Sequence, residues 1–342
     1  MDLDVVFLGT SGSAPTAQRA LPATLVRRGG ERLLFDCAEG TQRQLLRSDV
    51  GLVELEEIFL THFHADHYLG LPGMLKTFSL RGREVPLTIY GPRGLSRLLA
   101  TLGRVFGRLT YPLQTLELEP GERLEREDYR LETFAVDHGV PAVGYALVEA
   151  ARPGRFDVET ANRLGVPDGP ERGILQRGEP VTFPDSRVVR PEDVLGPPRA
   201  GRKVVLSADT APAGTVVEAA GGADLLVHEA TFLADEAERA KETLHSTAGG
   251  AALVAREAGV KLLALTHLST RYFGHQVVEE ARELFPDTVV PRDFDLVEIP
   301  FPERGPPELV RDGARSRGSR GADSALLGSG DRDEIRSGGD GG

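Results

Sequence analysis

Thiol chemistry is almost absent: Cys37 is the only cysteine in 342 residues, so an intramolecular disulfide framework is excluded and a reducing compartment fits. No apolar run approaches the ~20 residues of a membrane span. The opening Met1-Asp-Leu-Asp4 is acidic where a secretory signal would be basic. Positive charge is in short supply too. Forty Lys and Arg face 52 Asp and Glu, and the net charge of −12 excludes a chain wholly devoted to coating nucleic acid, though not a local basic site. Only Lys76, Lys203, Lys241 and Lys261 are lysines; the other basic residues are arginines, whose planar guanidinium suits bidentate phosphate contact. With 40% apolar and 27% charged residues, the expected class is a globular, cytoplasmic protein without a membrane partner.

The length fits two average domains or one large α/β domain. Residues 303–342 hold 10 of the 40 glycines and no aromatic residue. Such a segment cannot bury enough apolar surface to offset its ordering entropy, so it is expected to be a disordered tail behind a domain of residues 1–302. Within that domain short β-branched runs alternate with helical patterns. Val5–Leu8, Thr24–Val26, Arg32–Phe35, Glu57–Thr61, Lys203–Ser207, Asp224–Val227 and Lys261–Thr266 read as strands, and Leu131–Val136 with Val143–Val148 as an antiparallel pair. Glu39–Arg47, Thr247–Ala258 and Gln276–Leu284 read as helices. Several strands end at a His or Asp, which points to layered sheets whose strand ends converge on one site. Residues 151–180, rich in Gly, Pro and Arg, interrupt the alternation. They read either as a surface loop or as an inserted, protruding arm with a function.

Thr61-His-Phe-His-Ala-Asp-His67 packs His62, His64, Asp66 and His67 into six residues. Imidazole and carboxylate are the ligands that Zn²⁺ and similar divalent ions take, and two pairs suit two neighbouring metals better than one closed site. His138, Asp209 and His267 each follow an apolar strand, as His228 and Glu229 end one. Alone, each reads as an ordinary polar residue; beside the cluster, the shared position makes His138, Asp209 and His267 candidate ligands. His275 lacks that context and reads as structural.

His62-Phe-His-Ala-Asp-His67 resembles the H-x-H-x-D-H signature of the metallo-β-lactamase superfamily. The fuller set is similar to the short form of the ribonuclease Z family of tRNA 3′-end endonucleases: Phe7-Leu-Gly-Thr-Ser-Gly12, Phe35-Asp-Cys-Ala-Glu-Gly-Thr-Gln42, Leu69-Gly-Leu-Pro-Gly73, Ala208-Asp-Thr210, His228-Glu-Ala-Thr231, His245-Ser-Thr247 and Thr266-His-Leu-Ser269. Ala38 and Ala208 stand where that family often has glycine. The resemblance implies a four-layered αββα sandwich with the site at one edge. It implies one metal, most readily Zn, on His62, His64 and His138, and a second on Asp66, His67 and His267, with Asp209 bridging. It also implies that residues 151–180, around Arg155, Gly169 and Pro170, form the arm that grips tRNA, and that the protein is a homodimer whose arm serves the partner's site.

Phosphodiester hydrolysis needs an activated water, charge neutralisation and a proton for the leaving oxygen. In that scheme Asp66 is the proton acceptor, His245 the donor to the leaving 3′-oxygen, and Glu229 the residue that orients His245. His245 also reads as an ordinary residue before the helix cap Ser246-Thr247. Five arginines in 151–180 (Arg152, Arg155, Arg163, Arg172, Arg177) meet five acidic residues, so the arm is neutral overall. The activity expected is removal of the 3′ trailer from precursor tRNA. The competing reading is a hydrolase of the same fold acting on a small phosphodiester or thioester, which would keep the ligands but has no need of an arm.

Overall fold

The computed structural model describes residues 1–52 and 55–311. The chain first lays down β1 (Leu3–Gly9), β2 (Ala23–Arg28) and β3 (Glu31–Phe35) as an antiparallel meander. The strands β4 (Glu57–Phe59), β5 (Leu87–Gly91) and β6 (Leu113–Glu117) then add in parallel, and parallel neighbours need crossovers. Helices α1 (Thr41–Arg47), α2 (Ala65–Tyr68), α3 (Leu71–Leu80) and α4 (Leu95–Phe106) supply them. A second sheet starts with β7 (Arg123–Glu125), β8 (Tyr129–Ala135) and β9 (Val143–Glu149). A lobe follows, with α5 (Val158–Arg163), α6 (Pro170–Gln176), the hairpin β10 (Val181–Thr182) and β11 (Val188–Val189), and α7 (Pro191–Val194). The second sheet resumes with β12 (Lys203–Leu206), β13 (Leu225–Glu229), β14 (Leu262–Thr266) and β15 (Thr288–Val289), interleaved with α8 (Gly214–Ala220), α9 (Ala237–Thr243), α10 (Ala248–Ala258) and α11 (Gly274–Leu284). Finally β16 (Leu296–Glu298) and β17 (Glu308–Val310) return to the first sheet, whose order is β17-β16-β1-β2-β3-β4-β5-β6, against β15-β14-β13-β12-β9-β8-β7 in the second.

Side chains alternate across each strand, and that period of two builds the layers. On β1, Val5 and Phe7 join Phe35, Phe59, Tyr145 and Val204 between the sheets, while Val6 and Leu8 face Leu45, Leu71 and Met74 under the first helices. Across the second sheet, Leu225 and Val227 point inward and Leu226 packs outward on the small residues Ala248, Ala251, Ala252 and Ala255 of α10. The result is the expected αββα sandwich. At one end of the inter-sheet layer a buried guanidinium, Arg202, donates from each of its three nitrogens: Nε and Nη2 to Glu149 (2.8 and 2.7 Å), Nη1 to the Ile299 carbonyl (2.9 Å) and Nη2 also to that of Met1 (3.1 Å). Arg28 closes the cluster from the other side of Glu149 at 3.0 Å. Among the described residues no helix is long and apolar enough to cross a membrane.

Two sequence-based boundaries are corrected. The arm is longer than residues 151–180: backbone bridges pair Arg152 with Arg199 and Phe156 with Leu195, so the insertion closes near residue 199. It also has a core of its own, with Ala161, Val166 and Leu175 packed on Val181, Val189 and Val194. Half of that core lies beyond Pro180, out of reach of a boundary drawn on Gly, Pro and Arg content. The neck depends on Gly154, where a Cβ would stand 1.8 Å from the Gly196 carbonyl oxygen. The tail, in turn, starts later than residue 303. Glu303 accepts from Arg152 and Arg199, at 2.9 Å each, tying the C-terminal segment to both sides of the neck. Leu309 then pairs with Val297 in the first sheet. A composition averaged over forty residues hides one three-residue strand. Residues 312–342 lie outside the described residues.

Candidate metal centre

The candidate ligands come from strand ends and the turns after them. His62 and His64 follow β4, and Asp66 and His67 sit in α2; His138 lies between β8 and β9, Asp209 just past β12, and His267 just past β14. Carboxyl ends of parallel strands are where open α/β sheets place their sites. Asp209 is the hub. Its Oδ2 lies 3.2 Å from His267 Nε2, 3.3 Å from His67 Nε2 and 3.9 Å from both His62 Nε2 and His138 Nε2. His138 Nε2 is 3.1 Å from His64 Nδ1, and Asp66 Oδ2 lies 3.5 Å from His267 Nε2 and 3.8 Å from His67 Nε2. His62, His64 and His138 form one group able to hold a cation, and Asp66, His67 and His267 another.

The outer nitrogens are tied down, which leaves the inner ones free. His67 Nδ1 meets Asp36 Oδ2 at 2.7 Å, His267 Nδ1 meets the Thr231 hydroxyl at 2.8 Å, and His138 Nδ1 meets the Leu244 carbonyl at 3.2 Å. The inward Nε2 atoms of His62, His67 and His267 are buried without a hydrogen-bond partner. A buried polar atom without a partner is costly, and three converging on one carboxylate fit divalent cations. Burial pushes His62 well below its usual pKa, aided by His67, and keeps it the neutral imidazole a metal takes. At His67 burial acts the same way, but Asp209 and Asp36 outweigh it and raise the pKa; a proton and a metal compete for that lone pair. Such outer partners tune affinity about 10–100-fold. Thr231→Val is therefore expected to weaken one metal site by that order with the fold intact, read as metal retained per chain after dialysis against graded chelator.

Backbone strain concentrates here. Ser13, Asp36, Ala208, Leu244 and His267 all have φ between 55° and 62°, a left-handed region that non-glycine residues avoid. Each bears on the site: Ser13 N–H donates to Asp66 Oδ2 (2.8 Å), and Ala208 aims Asp209. Glycine would adopt this conformation freely at position 208. Gly12 serves by its smallness, because a Cβ there would meet the His267 ring at 2.4 Å.

His245 stands at the rim, its side chain 14% exposed, with Nδ1 2.7 Å from Glu229 Oε1. Burial lowers its pKa, but the hydrogen bond and charge of Glu229 outweigh that and push it up to about 9. Glu229 is itself held by the Thr210 N–H (2.9 Å) and the Thr231 hydroxyl (2.6 Å). His245 thus carries its proton at neutral pH, with Nε2 left to present it. All nine candidate side chains of the centre come together. Arg155, Gly169 and Pro170 do not; they belong to the lobe. Asp36, Thr231 and Gly12 escaped notice as site residues, although all three lie inside quoted motifs, because none carries a ligand pattern of its own. His275 proves exposed, outside any core.

A helix-flanked double sheet with a His- and Asp-lined edge defines a metallohydrolase architecture, and residues 20–267 match the model of the metallo-β-lactamase superfamily. Ribonuclease Z of Myxococcus xanthus is 49% identical over 303 residues, 87% of this chain and 98% of its own length. That of Methanosarcina acetivorans is 46% identical over 304 residues, 87% and 99% of the two lengths. The crystal structure of the short form of human tRNase Z superposes with a TM-score of 0.64 at 28% identity, covering 87% of this chain and 99% of that one. The chain belongs to the ribonuclease Z family of the metallo-β-lactamase superfamily.

Proposed function

We propose that the protein is an endoribonuclease that removes the 3′ trailer from precursor tRNA, hydrolysing one phosphodiester and leaving a 3′-hydroxyl on the tRNA. The observation that carries the chemistry is the ring of buried, partnerless imidazole nitrogens around Asp209; family membership carries the substrate. His62, His64 and His138 would hold one divalent ion, Asp66, His67 and His267 a second, with Asp209 shared and Zn the metal. Bound there, the ions supply a water of lowered pKa and neutralise phosphate oxygens. Asp66 takes the proton of the attacking water from a position fixed by Ser13. His245 gives its proton to the leaving 3′-oxygen, and Glu229 keeps that imidazole charged and aimed. The test is a 3′-extended tRNA precursor incubated with the protein, with and without chelator. Cleavage of small phosphodiesters alone would favour the competing reading.

The lobe supports an RNA substrate and a homodimer. It grows from the Glu149 end of β9 and rejoins at the Lys203 end of β12, whereas the metal centre lies past the other ends of these strands. Seven extended residues place its root about 20 Å from the centre. An arm rooted so far away serves a partner's site more readily than its own. Replacing residues 152–199 by a short Gly-Ser link is expected to raise KM for precursor tRNA with hydrolysis of bis-p-nitrophenyl phosphate spared. Equal loss on both substrates would make the lobe a structural part of the site. The proposed compartment is the cytoplasm, where precursor tRNA would meet the enzyme.

A further inference from the structure

A groove of about 920 Å³ opens beside the metal centre, between the loop after β1, the loop after β14, and α11. Its floor is continuous with the centre. Leu268 lines it, follows His267 directly, and accepts the Gly12 N–H at 2.9 Å. Among the described residues the lining holds Arg19, Arg282, Arg292, Arg311 and His275, and no carboxylate. In a chain of net charge −12 that is a local reversal of sign. Two carboxylates stand behind the wall, Asp293 near Arg19 and the buried Asp295 paired with Arg311. They offset part of the four guanidinium charges. Arg19 donates to the Thr10 hydroxyl (2.6 Å) and the Pro291 carbonyl (2.8 Å), and Arg282 to the Thr288 carbonyl (2.9 Å). The exposed Arg292 guanidinium has no hydrogen-bond partner among the described residues.

At the rim Phe273 is 71% exposed and contributes almost nothing to a core. Its ring lies over His275, with centroids 5.8 Å apart and planes 17° from parallel. An exposed aromatic pair above a row of guanidiniums is the arrangement that holds single-stranded nucleic acid, bases on rings and phosphates on cations.

We propose that this groove holds the single-stranded 3′ trailer as it leaves the metal centre, with its bases on Phe273 and His275 and its phosphates on Arg282, Arg292 and Arg311. This rests on the precursor-tRNA reading above. An unpaired strand is required because a ring can stack only on a base whose face is free. In the precursor, the trailer is unpaired and continues from the 3′ side of the scissile bond. Contacts of this kind position the strand without reading its sequence.

The experiment compares two precursors that share one tRNA body, carrying a single-nucleotide trailer or a long one, on the intact protein and on Phe273→Ala and Arg292→Ala. Both side chains are exposed, so the variants are expected to fold, checked by thermal melting. The expected result is that each substitution lowers the long-to-short ratio of kcat/KM about tenfold, chiefly through KM. Arg292→Ala should also flatten the salt dependence of long-trailer binding, by about 0.7 in the log–log slope. Equal losses on both precursors would overturn the proposal, placing the groove against the tRNA body. No loss on either would overturn it too. Failure of the unsubstituted protein to cut either precursor would instead sink the tRNA reading on which it rests.

Discussion

Asp66→Ala is expected to abolish precursor cleavage while the protein stays folded. The carboxylate sits within 3.8 Å of the free nitrogens of both His67 and His267 and is aimed by Ser13 N–H, so one substitution removes the proposed metal ligand and proton acceptor together. Metal content per chain should fall as well. Near wild-type cleavage by a folded variant would remove Asp66 from the mechanism. His245→Ala provides the contrast. His245 is proposed as an acid and not a ligand, so metal content should stay unchanged while turnover falls about 10²–10⁴-fold. Loss of a full metal equivalent would show that this histidine is a ligand. The pH profile adds a sign. A pKa raised to about 9 keeps the acid form through neutrality and loses it as pH rises past that value. Glu229→Gln takes away the partner that raises it and should move the alkaline limb of kcat to lower pH.

The second large effect is on stability. Glu149→Ala leaves the buried guanidinium of Arg202 facing no carboxylate, while Arg28 keeps Asp128 at 2.6 Å, and breaking a buried pair from one side costs about 3–5 kcal/mol. Urea titration should show the midpoint fall with little change in slope. Arg202→Met on the Glu149→Ala background should recover part of the loss, because the uncompensated charge disappears. The acid side of the stability profile tests the same cluster. Burial alone would raise the Glu149 pKa, but the hydrogen bonds and charge of Arg202, with Arg28, lower it. Its contribution is therefore complete above the unfolded carboxyl pKa of about 4.3 and is lost as pH falls through the lower, folded value. Glu149→Gln should lack that stretch of acid dependence. An unchanged acid limb in Glu149→Gln would place the proton uptake elsewhere.

Much of the centre was legible in the chain because its chemistry is local. His62, His64, Asp66 and His67 fall within six residues, and Asp209 and His267 betray themselves by ending apolar strands. Strand periods of two and the helical patterns of α10 and α11 were equally readable, since they follow from side-chain direction alone. His245 and Glu229 were ambiguous until the fold brought them within 2.7 Å across sixteen residues of chain. Asp36 and Thr231 became recognisable only as the groups holding His67 and His267, contacts between residues 31 and 36 positions apart. The closing half of the lobe, the β17 strand and the arginine groove were settled the same way, by packing of segments whose composition says little. Arg19, Arg282, Arg292 and Arg311 are unremarkable among 36 arginines until two sheets and a helix place them around one hollow. The residue types and the strand ends that carry the chemistry can be read from the chain alone, because ligand identity and backbone periodicity are local properties. Which distant groups orient those ligands, and where positive charge collects on an acidic protein, follow from the fold, because these depend on long-range packing.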